Sequence, residues 1–303
     1  MLARPPSAPR VPPAAVLAVS LLGISFAAPL VRLSTAHPLA IAIWRLGFSL
    51  VIVAVALAVT GGWRQWRTLR PRDAWIAGAA GIVLALHFYA WNSSLLYTTV
   101  AASVVLVNLQ PAIVAGLSAL VLAERPGRGQ VAGIALAMTG ALVIGLHDAG
   151  GAGHPGSRPL LGDALAVIGA ITAAVYYVAG RRLRQRLDLW PYVGLVYGAC
   201  FVTLVVIALV LRVPVGPQPP RELAIFAALA LGPMILGHTG LNWALRYLPA
   251  YVVSLTVLGE PVGATVLAAV LPGIAEIPSL VTVAGGALVL AGVVATLMGA
   301  RRP

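Results

Sequence analysis

Apolar runs long enough to cross a bilayer follow one another through this sequence, with few charges between them. A membrane-spanning helix needs roughly 20 consecutive apolar residues. Of the 303 residues 60% are hydrophobic and only 9% charged, and the mean hydropathy is +0.97. A soluble domain carries about a quarter charged residues, so no water-soluble fold covers this much apolar surface. The chain reads as an all-α integral membrane protein whose first partner is the lipid bilayer. The net charge of +12 does not point to nucleic acid, because the basic residues are all Arg and sit in short runs between apolar segments. The single cysteine, Cys200, lies inside an apolar run and excludes an internal disulfide.

Breaks at charge, Pro and Gly divide the chain into ten predicted spans. A Pro-rich basic tail, residues 1–12, precedes them. The spans run Pro13–Val31, His37–Thr60, Asp73–Leu96, Thr99–Leu122 and Gly129–Leu146, then Leu161–Gly180, Trp190–Leu211, Glu222–Ala244, Pro249–Leu271 and Ser279–Ala300. The Gly-rich stretch 148–160 separates two halves, 13–147 and 161–300. With ten crossings, Arg4, Arg10, Arg64, Arg67, Arg70, Arg72, Arg125, Arg128, Arg181, Arg182, Arg184, Arg186, Arg246, Arg301 and Arg302 all fall on one side. The opposite side keeps Arg32, Arg158, Arg212 and Arg221. That bias places both termini in the cytoplasm.

One unusual element occurs twice. His87–Pro111 aligns with His238–Pro261 at an offset of 150 (242 − 92 and 261 − 111), bringing Asn92 onto Asn242, Tyr97 onto Tyr247 and Pro111 onto Pro261. Gln110 falls on Glu260, the same side-chain length without and with a charge. Gly133 and Gly140 match Gly285 and Gly292 at an offset of 152 (285 − 133 and 292 − 140). Two copies of an odd number of spans must cross in opposite directions, which predicts inverted five-helix repeats around a central cavity, an architecture shared by many secondary transporters.

These residues resemble the EamA family of the drug/metabolite transporter superfamily. The pattern is carried by NSSLLYTTVAASVVLVNLQP from Asn92 to Pro111, by AERPGRGQVAG ending at Gly133, and by Gly140. The second copy is NWALRYLPAYVVSLTVLGEP from Asn242 to Pro261, followed by Glu276 and Gly285. The resemblance implies a secondary transporter in the bacterial inner membrane that exports or exchanges amino acids, other metabolites or cationic drugs. In length and layout an amino-acid exporter of the YddG type is the nearest match. Glu260 ahead of the Pro departs from the usual family pattern.

Polar side chains at membrane depth cost a few kcal/mol each and are expected to face the bundle interior or water. Glu260 lies about ten residues into its span, roughly 15 Å along the axis. It is a candidate for a substrate amine or a coupling proton; the plainer alternative is an ion pair with Arg45. Asn108 and Gln110 are its counterparts, as ligand contacts or interhelical hydrogen bonds. His87 and Trp91 share one helix face, as do His238 and Asn242. Packing of a lone His is the competing reading for each. Asn92 and Asn242 sit near helix ends, where capping a tight connection is the favoured reading. Tyr176 is a cavity-lining or core aromatic, and Pro111 and Pro261 are expected hinges. Gly129 with Gly133, and Gly194 with Gly198, predict close helix packing. The substrate-binding set is therefore Glu260, His87, Trp91, Asn108, Gln110, Tyr176, His238 and Asn242, with helices three, four, eight and nine lining the site.

No enzyme is expected. The acidic residues Asp73, Asp148, Asp163 and Glu222 lie at helix ends, no metal set or catalytic cluster is legible, and no cofactor is called for. A multidrug exporter of lipophilic cations is the alternative within the class, and an intramembrane lipid-modifying enzyme the alternative outside it. Proton coupling and a monomeric or homodimeric state are both left open.

Overall fold

The computed structural model describes residues 9, 11–98, 103, 106–151, 158–260, 262, 263, 267 and 279–299. These residues are helical or in turns, with no strand among them. That is what hydrocarbon demands, because a helix satisfies its own backbone hydrogen bonds.

In chain order the helices are α1 (Pro13–Ser25), α2 (Ala27–Leu33), α3 (Pro38–Thr60), α4 (Pro71–Tyr97), α5 (Gln110–Leu117), α6 (Arg128–Gly151), α7 (Pro159–Arg184), α8 (Leu189–Val210), α9 (Pro220–Leu229), α10 (Gly240–Ala244), α11 (Ala250–Thr256) and α12 (Leu280–Gly299). A 3-10 segment, Gly62–Thr68, joins α3 to α4. A wide π-helical segment, Ala230–Thr239, joins α9 to α10. Six stretches are long and apolar enough to cross a membrane: Pro13–Val31, Pro38–Thr60, Pro71–Tyr97, Pro159–Arg184, Leu189–Val210 and Pro220–Ala244. The four other expected spans coincide with shorter apolar helices, Gln110–Leu122, Arg128–Val143, Ala250–Gly259 and Val283–Thr296.

Proline sets where these helices begin and where they break. α1, α3, α4, α7 and α9 all start on Pro, at positions where the missing N–H would have had no intrahelical partner. Inside a span the ring clashes with the carbonyl four residues earlier. Pro29 points back to Ser25, where α1 ends. Pro233 points back to Leu229, where α9 ends and the π-helical segment starts. Pro111 points back to Val107, after which Asn108 and Leu109 form a turn. Pro111 itself sits in the first turn of α5. The first span thus has a turn at Phe26 and the fourth one at Asn108 and Leu109, while the eighth stays helical and widens to π geometry. In the ninth span the backbone tightens to 3-10 geometry over Val257–Gly259, just ahead of Glu260. Pro261, the other expected hinge, lies outside the described residues.

The chain forms two compact units: residues 1–89 with 175–248, and 90–174 with 249–303. Each draws on both halves of the sequence. In the first unit α1 packs along the π-helical segment and α3 along α8. A Cβ on Gly23 would stand 2.8 Å from the Gly237 nitrogen, and one on Gly81 2.6 Å from the Val196 carbonyl oxygen. Phe226, Leu229, Ile41 and Ile225 form an apolar cluster against Trp44 and Phe48.

The second unit is built on α6 against α12, its most extensive helix pair. A Cβ on Gly133 would lie 2.8 Å from the Gly292 carbonyl oxygen, and one on Gly140 2.5 Å from that of Gly285. The partner number falls as the residue number rises, so the two helices run antiparallel. Small residues permit this approach where lipid offers no hydrophobic drive for association. Gly129 and Gly198 have open space where a Cβ would go. Of the two expected Gly pairs, only Gly133 and Gly194 make close contacts.

Candidate functional site

Inside the first unit a seam of polar side chains is enclosed by apolar helices. Arg45, in α3, is 1% exposed. Its guanidinium carbon lies 4.0 Å from the centroid of the Phe88 ring, and Nη2 donates to the Met234 sulfur at 3.1 Å. A charged side chain at membrane depth costs roughly 3 kcal/mol on insertion scales. A desolvated cation–π contact recovers about 2 kcal/mol of it, and the other contacts of Arg45 add to that. His238 stands edge-on to the same Phe88, ring centroids 5.5 Å apart, and His87 is tilted against it at 5.3 Å. Nδ1 of His238 is buried without a hydrogen-bond partner among the described residues. Phe88 and His238 are equivalent positions of the repeat (238 − 88 = 150).

The seam continues through hydroxyls. Tyr197 donates to Thr239 Oγ1 at 3.1 Å, and Thr239 donates to the Met234 carbonyl at 3.0 Å. Asn242 Nδ2 donates to Tyr176 Oη at 2.5 Å. Asn242 and Tyr176 are each 1% exposed. Asn242 lies inside α10 and bonds across to α7, so capping is not its role. Asn92 is likewise buried within α4 rather than at its end.

The second buried arginine of this unit is accounted for locally. Arg184 Nε donates to the Asn242 carbonyl at 3.0 Å, and its Nη1 bonds the Leu187 carbonyl. Arg181 donates to the carbonyls of Leu245 at 2.8 Å and Arg246 at 3.1 Å. Two cations therefore meet carbonyls at and just beyond the C-terminus of α10, where the helix dipole favours positive charge. These arginines are more than topology signals.

In the second unit polar contacts also join distant parts of the chain. Gln110 Nε2 donates to Ser254 Oγ at 3.0 Å, joining α5 to α11. Ser94 and Ser103 hydroxyls lie 2.6 Å apart. Tyr251 donates to Gln130 Oε1 at 2.9 Å, and the Ala250 N–H at the start of α11 donates to Glu124 at 3.2 Å. Trp91 is 8% exposed and its Nε1 has no partner among the described residues. Asn108 lies in the turn before α5, 7% exposed. Glu260 is half-buried.

The eight residues singled out in the sequence therefore divide evenly. His87, Tyr176, His238 and Asn242 belong to the first unit, and Trp91, Asn108, Gln110 and Glu260 to the second. Sequence reasoning passed over Phe88, Tyr197, Met234 and Thr239. Their one legible signal is proximity in sequence to His87 and His238. Among the described residues no group of three or more His, Cys, Asp or Glu side chains could hold a metal ion.

The profile of the EamA-like transporter family matches residues 13–146 and again 160–298. The chain belongs to that family. A solved protein described only as "Crystal structure of protein" is 22% identical, covers 96% of this chain over 98% of its own, and superposes with a TM-score of 0.78. That likeness supports the fold. No curated protein matches the chain. An EamA transporter with six membrane-capable helices is a multi-pass membrane protein handling small molecules, and the polar seam is set in that frame.

Proposed function

We propose that this chain is a secondary exporter of small metabolites, amino acids first among them, working by alternating access in a bacterial inner membrane. The observation that carries the reading is a double one: a transporter family matched twice along the chain, and a polar seam enclosed in an apolar unit. In this account the chain crosses ten times as two inverted five-helix repeats, residues 13–147 and 161–300, with both termini in the cytoplasm. The antiparallel pairing of Gly133 with Gly292 and of Gly140 with Gly285 supports the inversion. Exchanging the two copies turns one contact into the other. The edge-to-face contact of the equivalent residues Phe88 and His238 supports it too.

Glu260 takes a substrate amine or a coupling proton, and Arg45 a carboxylate. His87, His238, Tyr176, Asn242, Trp91, Asn108 and Gln110 supply rings and hydrogen bonds for the remainder of the ligand. Pro111 and Pro261 mark the places where helix segments rock. No cofactor takes part, and no chemistry is performed on the substrate.

The test is a substrate panel in proteoliposomes with and without a pH gradient. Uptake of amino acids above protein-free vesicles supports the assignment, and a dependence on the gradient assigns coupling to protons. Transport of lipophilic cations alone would replace the substrate class with drugs. Transport of nothing would return the lipid-modifying enzyme to consideration.

A further inference from the structure

Between α3 and α4 the chain turns through Gly61, in the left-handed region at φ 65, into the 3-10 segment Gly62–Thr68. This segment is pinned at two points. The Trp66 indole N–H donates to the Pro191 carbonyl at 3.1 Å. Gln65 bonds Asp188 twice, donating to its carboxylate and accepting from its backbone N–H at 3.1 Å.

The pinned turn exposes two guanidiniums beside one indole ring. Arg67 lies 4.8 Å and Arg64 5.7 Å from the Trp63 ring centroid. Arg64, Arg67, Arg70 and Arg72 are exposed. Trp75, one turn into α4, is 81% exposed. The neighbouring acids are engaged elsewhere: Asp73 pairs with Arg186 at 3.1 Å and Asp188 with Arg246 at 2.6 Å. Among the described residues none of the four arginines has an acidic partner. Four like charges within nine residues (64 to 72) repel one another unless an external anion intervenes.

We propose that this face, formed by Trp63, Arg64, Arg67, Arg70, Arg72 and Trp75, is a binding site for the phosphate headgroups of anionic phospholipids. The reasons are chemical. A guanidinium grips a phosphate with two parallel N–H bonds, which a point charge does not. Exposed indoles settle at the headgroup level of a bilayer, and basic clusters at the end of a span draw anionic lipids from the leaflet. A charge that only orients the chain needs no pinned backbone and no ring beneath it. Arg125 and Arg128 are an exposed basic pair without an aromatic residue between them, and they supply the control.

The experiment is native mass spectrometry of the purified full chain in micelles doped with phosphatidylglycerol or phosphatidylcholine. The protein is expected to retain phosphatidylglycerol at least fivefold over phosphatidylcholine. The variant R64Q/R67Q falls to parity, and R64K/R67K, which keeps the charge, falls most of the way. R125Q/R128Q keeps the wild-type preference. Wild-type preference in R64Q/R67Q, or an equal loss in R125Q/R128Q, overturns the site. Full displacement of the lipid by millimolar inorganic phosphate overturns the headgroup assignment. Should R64Q/R67Q fail to fold, R70Q/R72Q on the same face is read against the same outcomes.

Discussion

The two units handle buried polarity in opposite ways. The first encloses arginine, histidine, tyrosine and asparagine in a seam of rings and hydroxyls, with Arg45 1% and Arg184 2% exposed. The second shares the first unit's close-packed glycines and is joined by pairwise amide and hydroxyl links such as Gln110 to Ser254. Its charged residue of interest is an acid, Glu260, placed where the helix changes geometry. The buried arginines Arg45 and Arg184 come one from each half of the sequence, so the difference lies between the units and not between the halves. Packing precision and ligand chemistry are separable in such a molecule, and mutations should separate them.

The largest effect is expected from the glycine contact of the second unit. Gly140→Ala drives a methyl group against the Gly285 carbonyl and the Val289 nitrogen, 2.5 and 2.7 Å away. Overpacking of this kind costs about 1–3 kcal/mol, read as a lowered unfolding temperature in detergent. Gly116→Ala, where the space is open, should be neutral or stabilising by up to about 1 kcal/mol. Equal melting temperatures for the two variants would break the claim that glycine contacts hold this unit.

A smaller effect distinguishes the polar groups. Tyr176→Phe removes the acceptor of the Asn242 amide, and Gln110→Leu removes the donor to Ser254. Each should cost about 1 kcal/mol, within the usual range for one intramolecular hydrogen bond. Uptake per folded molecule is expected to fall several-fold for both variants, because both side chains belong to the proposed binding set. Wild-type uptake by either variant would remove that residue from the set.

The smallest effect concerns Asp188, between α7 and α8. Partial burial works against its ionisation, but hydrogen bonds from Arg246 and Gln65 and the charges of Arg246 and Arg184 prevail, holding its carboxyl below the ordinary value of 3.8. The folded value is the lower one, so the contribution is complete above that ordinary value and is lost as pH falls through the folded value. It is a small contribution, because the Asp188 side chain is 58% exposed and screened by solvent. Asp188→Asn should flatten the decline in melting temperature below pH 4, and an unchanged profile would remove this pair from the account.

Much of the fold was legible because its signals are one-dimensional. Apolar runs mark helices, an offset of 150 marks the repeat, and matched glycines mark the contact of α6 with α12. The interruptions were legible in principle. Pro29, Pro111 and Pro233 each end regular helix at the carbonyl four residues back, a rule that needs no coordinates. The seam was legible only in part. His87, His238, Tyr176 and Asn242 stand out as polar residues in apolar sequence, whereas Phe88 and Met234 look like any other apolar residue. Their importance comes from lying against Arg45 from distant positions in the chain. The reading of Asn242 as a cap failed for the same reason: its partner, Tyr176, is 66 residues away.

The proposed assignment of Arg45 and Glu260 to substrate recognition is tested most directly by counterflow of a labelled neutral amino acid into proteoliposomes carrying wild type, Arg45→Gln or Glu260→Gln. The account predicts uptake for wild type that is competed by the free amino acid. It predicts uptake reduced at least about tenfold in both variants, a loss of about 1.4 kcal/mol, with melting temperatures close to wild type. Arg45→Gln should respond least to competitors that differ only in the carboxylate, and Glu260→Gln least to those that differ only in the amine. Wild-type uptake by both variants would contradict the account.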